Sequence, residues 1–99
     1  MGKAHHVGMA ELVVILSPEA LVTLGLGSCI GLVIYDSRAK VAGMVHIMLP
    51  DSAKSPAALE KPGKFADTAV PELIEQVCRK GGLRSRLKAK MAGGSQMFA

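Results

Sequence analysis

Long, almost unbroken apolar runs separated by short polar breaks dominate the first half of the chain. Residues 11–16 are rich in β-branched and aliphatic side chains and stop at Ser17-Pro18, the pattern of a strand; residues 20–24 form a second such run. A third, over 30–35, closes at Asp36-Ser37, and a fourth, over 41–49, closes at Pro50-Asp51. These runs do not alternate apolar with polar, which predicts strands covered on both faces and therefore a layered fold. Residues 1–9 show no periodicity and are expected to fray.

The pattern changes after Asp51. Ser, Pro, Ala, Lys and Gly fill 51–64, with Pro56 and Pro62-Gly63 as breakers, which predicts a loop. Phe65, Ala69, Val70, Leu73, Ile74, Val77 and Cys78 then recur at helical spacing, so an amphipathic helix should lie over one sheet face. Pro71 falls inside that pattern and implies a start near it or a kink. Arg79-Lys80 before Gly81-Gly82 supplies cations and a left-handed cap at the carboxyl end. Leu87, Ala89 and Met91 alternate with Lys88 and Lys90, a half-exposed strand ended by Gly93-Gly94-Ser95. The fold class expected is α/β, in the α+β layered sense: β-sheet layers covered by an amphipathic helix, in a single domain over 1–99.

Composition narrows the functional classes. The chain has 99 residues, 49% of them hydrophobic, with no Trp and no apolar run of membrane-spanning length, which points to a cytoplasmic protein without direct membrane insertion. The net charge of +4 is concentrated in Arg79, Lys80, Arg84, Arg86, Lys88 and Lys90. That window has no aromatic residue for base stacking, so it reads as a solvated basic face able to steer an acidic partner, with no nucleic acid implied. His5 and His6 lack companions at metal-ligand spacing, and no metal or other cofactor is expected. The glycines of 25–31 are spaced wrongly for a dinucleotide fingerprint, and a Walker lysine is absent.

The candidate chemistry lies where the second apolar run stops and the third begins, at Thr23-Leu-Gly-Leu-Gly-Ser-Cys29. Gly25, Gly27 and Gly31 let the backbone around Cys29 bend and approach a bound carbonyl closely. Amides released by the bend, at Gly27 and Ser28 and near Cys29, suit an oxyanion. A free thiol is only a few per cent thiolate at neutral pH, so a nucleophilic Cys29 requires a base. His46 is the one ionisable group in the run 41–49, and an imidazole among Val, Ile and Met demands a polar partner. Thr23, at the end of the strand feeding the bend, offers a hydroxyl to orient that ring. Each residue also has a plain structural reading: cysteine as a small hydrophobe, histidine as a satisfied core residue, threonine as an ordinary strand former. Ser28 ranks below Cys29 as a nucleophile, and Cys78 belongs to the apolar side of the helix.

Four blocks, in order, resemble the CheD family of chemoreceptor glutamine deamidases: Val22-Thr-Leu-Gly-Leu-Gly-Ser-Cys29, Ala42-Gly-Met-Val-His-Ile-Met-Leu-Pro-Asp-Ser52, Lys61-Pro-Gly-Lys-Phe-Ala-Asp-Thr-Ala-Val70 and Lys88-Ala-Lys-Met-Ala-Gly-Gly-Ser-Gln-Met-Phe98. The resemblance implies catalytic roles for Cys29, His46 and Thr23, and hydrolysis of glutamine side-chain amides on receptor methylation helices to glutamate and ammonia. It also implies a CheC-type phosphatase as partner and a fold similar to the cytotoxic necrotizing factor deamidases. Members of the family carry a further section after the block ending at Phe98, so the domain is expected to be C-terminally short. The alternative function is a non-catalytic chemotaxis adaptor that binds receptors or a CheC-type phosphatase.

Overall fold

A computed structural model describes residues 3–49 and 61–94. Most of the predicted loop therefore lies outside the described residues. The strands are β1 (Ala4–His6), β2 (Leu12–Leu16), β3 (Ala20–Val22), β4 (Ile30–Asp36), β5 (Val41–Ile47) and β6 (Lys88–Gly93); one α-helix, α1 (Ala66–Arg79), precedes β6. The main sheet is antiparallel with order β2-β5-β4-β6, and β1 pairs with β3 in a separate parallel two-stranded sheet. This is an α+β layered architecture, as the periodicity predicted.

The centre of the main sheet is β5, and its odd-numbered side chains face α1. Val41, Val45 and Ile47 join Leu32 and Ile34 of β4 and Ala69, Leu73 and Val77 of α1 in one buried cluster. The helix contributes residues at i, i+4 and i+8, a single stripe directed at the sheet. Gly43 lies under that stripe: a Cβ there would stand 2.6 Å from Leu73 Cδ1 and 2.9 Å from Val77 Cγ2. Absence of a side chain at this one strand position sets how closely helix and sheet approach. Each large aliphatic group buried in the cluster contributes about 1.5–3 kcal/mol relative to exposure.

The helix starts at Ala66 and runs through Pro71, so of the two readings of that proline the start close to it does not hold. Its carboxyl end is closed as predicted: Gly81 has φ 113°, the Gly82 amide donates to the Val77 carbonyl and the Gly81 amide to that of Cys78. Residues 62–64, predicted as loop, form a 3-10 turn, and β5 ends at Ile47 rather than Leu49, with Leu49 bridging to Phe65.

Three expectations are corrected. Residues 4–6 are ordered as β1 by pairing with β3, through backbone bonds that carry no hydrophobic signature, and His5 Nε2 sits 3.0 Å from Glu19. Coverage of the sheet is also unequal. α1 covers one face; on the other, the segments around Val7–Ala10 and Thr23–Leu26 close the His46 end, whereas Ile15, Val33, Tyr35 and Ala42 floor an open groove of about 390 Å³. An apolar run shows that cover is compatible with a face, not that an element supplies it. Third, Arg86 is not part of a solvated basic face.

Arg86 instead binds Asp36, whose side chain is fully shielded from solvent. The carboxylate accepts from the amides of Arg38, Ala39 and Leu83 and from the Arg86 guanidinium, at 2.8–3.2 Å. It thereby ties the β4–β5 turn to the connection between α1 and β6. The Arg86 guanidinium, followed by the Leu83 amide, holds the Asp36 carboxyl well below the usual carboxylate range, against the opposing effect of burial.

Two outcomes are expected. Gly43→Val should lower the urea-unfolding free energy by about 1–3 kcal/mol through overpacking against Leu73 and Val77, with far-ultraviolet dichroism preserved. Because the folded-state pKa of Asp36 is depressed, its contribution is fully present above the ordinary carboxylate value and is lost progressively as the pH falls from about 4 toward the depressed folded value; Asp36→Asn should flatten that acid limb of the stability profile.

Candidate active site

His46 lies on β5 between Val45 and Ile47, both of which face the helix-side cluster, so strand alternation directs its ring to the opposite face. Its cross-strand partner on β4 is Gly31. A Cβ at Gly31 would stand 3.3 Å from Leu26 and 3.4 Å from Thr23 Cγ2, so the bare position opposite His46 is where the segment after β3 packs down. That packing brings Thr23 to the imidazole. Thr23 Oγ1 is 3.2 Å from His46 Nδ1 and donates its own proton to the Val7 carbonyl at 2.7 Å.

A threonine hydroxyl has one proton. With that proton given to Val7, Oγ1 can only accept from the ring, so Nδ1 is the protonated nitrogen and the neutral imidazole carries its lone pair on Nε2. His46 is 2% exposed, and Nε2 is buried with no hydrogen-bond partner among the described residues. A buried, unpaired acceptor of this kind costs about 1–3 kcal/mol, which marks the atom as one whose partner comes from elsewhere.

Cys29 lies immediately before β4, two positions ahead of Gly31, and is half-buried with a free thiol. Gly25 and Gly27 adopt φ of 64° and 50°, the left-handed values that a bend at this point requires. The Cys29 amide closes the turn by donating to the Leu26 carbonyl at 2.6 Å, and the Cys29 carbonyl accepts from the Gly94 amide at 2.8 Å. One sequence expectation changes here: the Cys29 amide is spent inside the turn, which leaves Gly27 and Ser28 as the candidate oxyanion donors. Thus Thr23 and His46 are in direct contact, while Cys29 occupies the adjoining bend without a hydrogen bond to the unpaired Nε2.

Cys78 sits on α1, on the far side of the sheet from the His46 ring, and has no part in this constellation. Among the described residues no group of three His, Cys, Asp or Glu side chains is placed to hold a metal. None of the helices described is long and apolar enough to cross a membrane. Sequence reasoning missed the Val7 carbonyl, which fixes the tautomer of His46. A main-chain acceptor has no residue-type signature; only a prediction of β1 beside β3 would have drawn attention to it.

The profile of the family described as CheD chemotactic sensory transduction matches residues 48–99. The chain belongs to the CheD family. Its relatives include the probable chemoreceptor glutamine deamidase CheD of Desulforamulus reducens, 55% identical over 95% of this chain and 56% of the relative. Another is the probable chemoreceptor glutamine deamidase CheD of Lachnoclostridium phytofermentans, 52% identical over 100% of this chain and 61% of the relative. The chemoreceptor glutamine deamidase CheD of Halalkalibacterium halodurans is 53% identical over the same shares, 100% and 61%. The chain thus spans 56–61% of the length of these CheD relatives.

Replacing the Thr23 hydroxyl tests the hydrogen-bond chain. Thr23→Val should cost about 1–3 kcal/mol by leaving the Val7 carbonyl and His46 Nδ1 unpaired. In long-range proton–nitrogen spectra, the Nδ1–H form should dominate in the wild type and in Thr23→Ser, and lose that dominance in Thr23→Val.

Proposed function

We propose that this chain carries the catalytic machinery of a chemoreceptor glutamine deamidase, with Cys29 as nucleophile, His46 as general base and acid, and Thr23 orienting the imidazole. The observation that carries the reading is the buried His46 Nε2, unpaired among the described residues, with Nδ1 held by Thr23 beside the bend that presents Cys29. An orientation of this kind leaves the ring one open task, to accept and return a proton.

In the reaction, the Cys29 thiol gives its proton to Nε2 and the sulfur attacks the carboxamide carbon of a glutamine side chain. The tetrahedral oxyanion is held by the Gly27 and Ser28 amides. His46 returns the proton to the departing nitrogen, ammonia leaves, and a thioester remains. Water then loses a proton to Nε2 and adds to the thioester; collapse of that adduct expels the Cys29 sulfur, which is reprotonated, and leaves glutamate. No cofactor is required. The substrate is a glutamine on a receptor methylation helix, the regulator a CheC-type phosphatase, and action on those helices places the protein in the cytoplasm.

One observation favours a second reading, a non-catalytic adaptor for receptors or a CheC-type phosphatase: the thiol is not bonded to the imidazole. Ammonia release from a receptor-helix substrate separates the two. Under the deamidase reading, Cys29→Ala abolishes release and His46→Ala reduces it by about 100-fold or more, with dichroism unchanged. Release undiminished in Cys29→Ala refutes the thiol mechanism; substrate binding without release from the wild-type chain establishes the adaptor.

A further inference from the structure

Cys29 is contacted from a strand more than sixty residues away in sequence, at a point where a side chain cannot be accommodated. Gly93 pairs with Ile30 at the end of β6 and has φ 97°. A Cβ built on Gly93 would overlap the Cys29 carbonyl oxygen and come within 3.2 Å of Leu26 Cβ. The obstructing atom belongs to backbone, so no rotamer change relieves the overlap: either β6 withdraws or the Cys29 peptide turns. The next residue, Gly94, with φ 75°, donates its amide to that same carbonyl at 2.8 Å. Unlike Gly93, Gly94 has room, since its nearest neighbour, Ile30 Cγ1, would lie 3.6 Å from a Cβ.

We propose that Gly93 and Gly94 are positioning residues for the thiol: the end of β6 forms a side-chain-free clamp that fixes the Cys29 peptide and so aims its sulfur toward His46. The inference rests on the deamidase reading. Cys29 is held at both backbone groups, its amide by the Leu26 carbonyl within the turn and its carbonyl by Gly94 across the sheet. With both peptide planes fixed, the direction of the Cα–Cβ bond is fixed as well, leaving the thiol a choice of rotamers about one torsion. The turn alone fixes one plane; β6 supplies the other. Pre-orientation of this sort matters for a nucleophile whose base stands on a different strand, because an ångström-scale misplacement is enough to lose proton transfer.

The test is a double-mutant comparison on the full chain, reading alkylation of Cys29 by iodoacetamide at neutral pH with Cys78 as internal reference. In the wild type Cys29 should react at least about tenfold faster than Cys78, and His46→Ala should remove that advantage. Gly93→Ala should also remove it, and adding His46→Ala to Gly93→Ala should then change nothing further, since sulfur and imidazole are already uncoupled. Gly94→Ala, which keeps its amide proton and meets only the strain of a side chain at a left-handed φ rather than a backbone overlap, should retain more of the advantage than Gly93→Ala. Should Gly93→Ala fail to fold, exchange of the Gly94 amide with deuterium in the wild type decides: marked protection supports the clamp, and exchange at the rate of a free amide overturns it. If Cys29 in the wild type reacts no faster than Cys78, the deamidase reading fails. If the wild-type advantage is present and survives Gly93→Ala in full, the clamp alone is refuted.

Discussion

The contact between α1 and β5 at Gly43 is the constraint from which the rest of the arrangement follows. Leu73 and Val77 occupy the space a side chain at Gly43 would fill, so the helix seats directly on the central strand, and Val41, Val45 and Ile47 are committed to the same side. A strand has only two faces. Once the odd positions of β5 are committed to the helix, His46 has no choice but the other face. Shifting β5 by one residue would bury His46 under the helix and expose the aliphatic cluster, so packing of the core and placement of the imidazole are the same decision.

On that second face, the polar groups form a short chain rather than a network. Val7 accepts from Thr23, Thr23 accepts from His46 Nδ1, and the series ends at Nε2, unpaired among the described residues. The buried strand supplies rigidity; the segment after β3 supplies the hydroxyl; the residue that follows β1 supplies the carbonyl. Stability and site geometry are separated in space. Asp36, the other buried polar residue among those described, stands at the opposite end of β4, where its contacts satisfy its charge and those to Leu83 and Arg86 fasten the β4–β5 turn to the connection between α1 and β6. One buried polar group is saturated and structural, the other half-satisfied and open to a partner. This contrast is what distinguishes a site from a core polar residue.

Local periodicity made much of this legible. The apolar runs located β2 to β5, helical spacing located α1 with its glycine cap, and the lysine alternation located β6, although that strand is exposed along its whole length and not half-exposed as expected. Cys29 stood out because a glycine-rich bend interrupts two apolar strands, and His46 because it is the only ionisable group in its run. The pairing of Thr23 with His46 was expected from the roles such residues take, and the two are in contact. Other features left no local trace. β1 is three residues of Ala and His that become a strand only beside β3, Asp36 looked like an ordinary turn residue, and Arg86 looked like one cation among six.

By itself, then, the sequence determined where β2 to β6 and the helix lie, which helix positions face the sheet, and which residue types are available for chemistry. All of these are short-range properties of side-chain hydrophobicity and backbone preference, and a chain displays them in order. Tertiary structure alone decided which nitrogen of His46 carries the proton, that Val7 fixes it, that the Cys29 amide is taken by its own turn, and that the end of β6 meets the Cys29 carbonyl. Those outcomes depend on main-chain groups that every residue has and on distances between segments far apart in sequence, so no pattern of residue types encodes them.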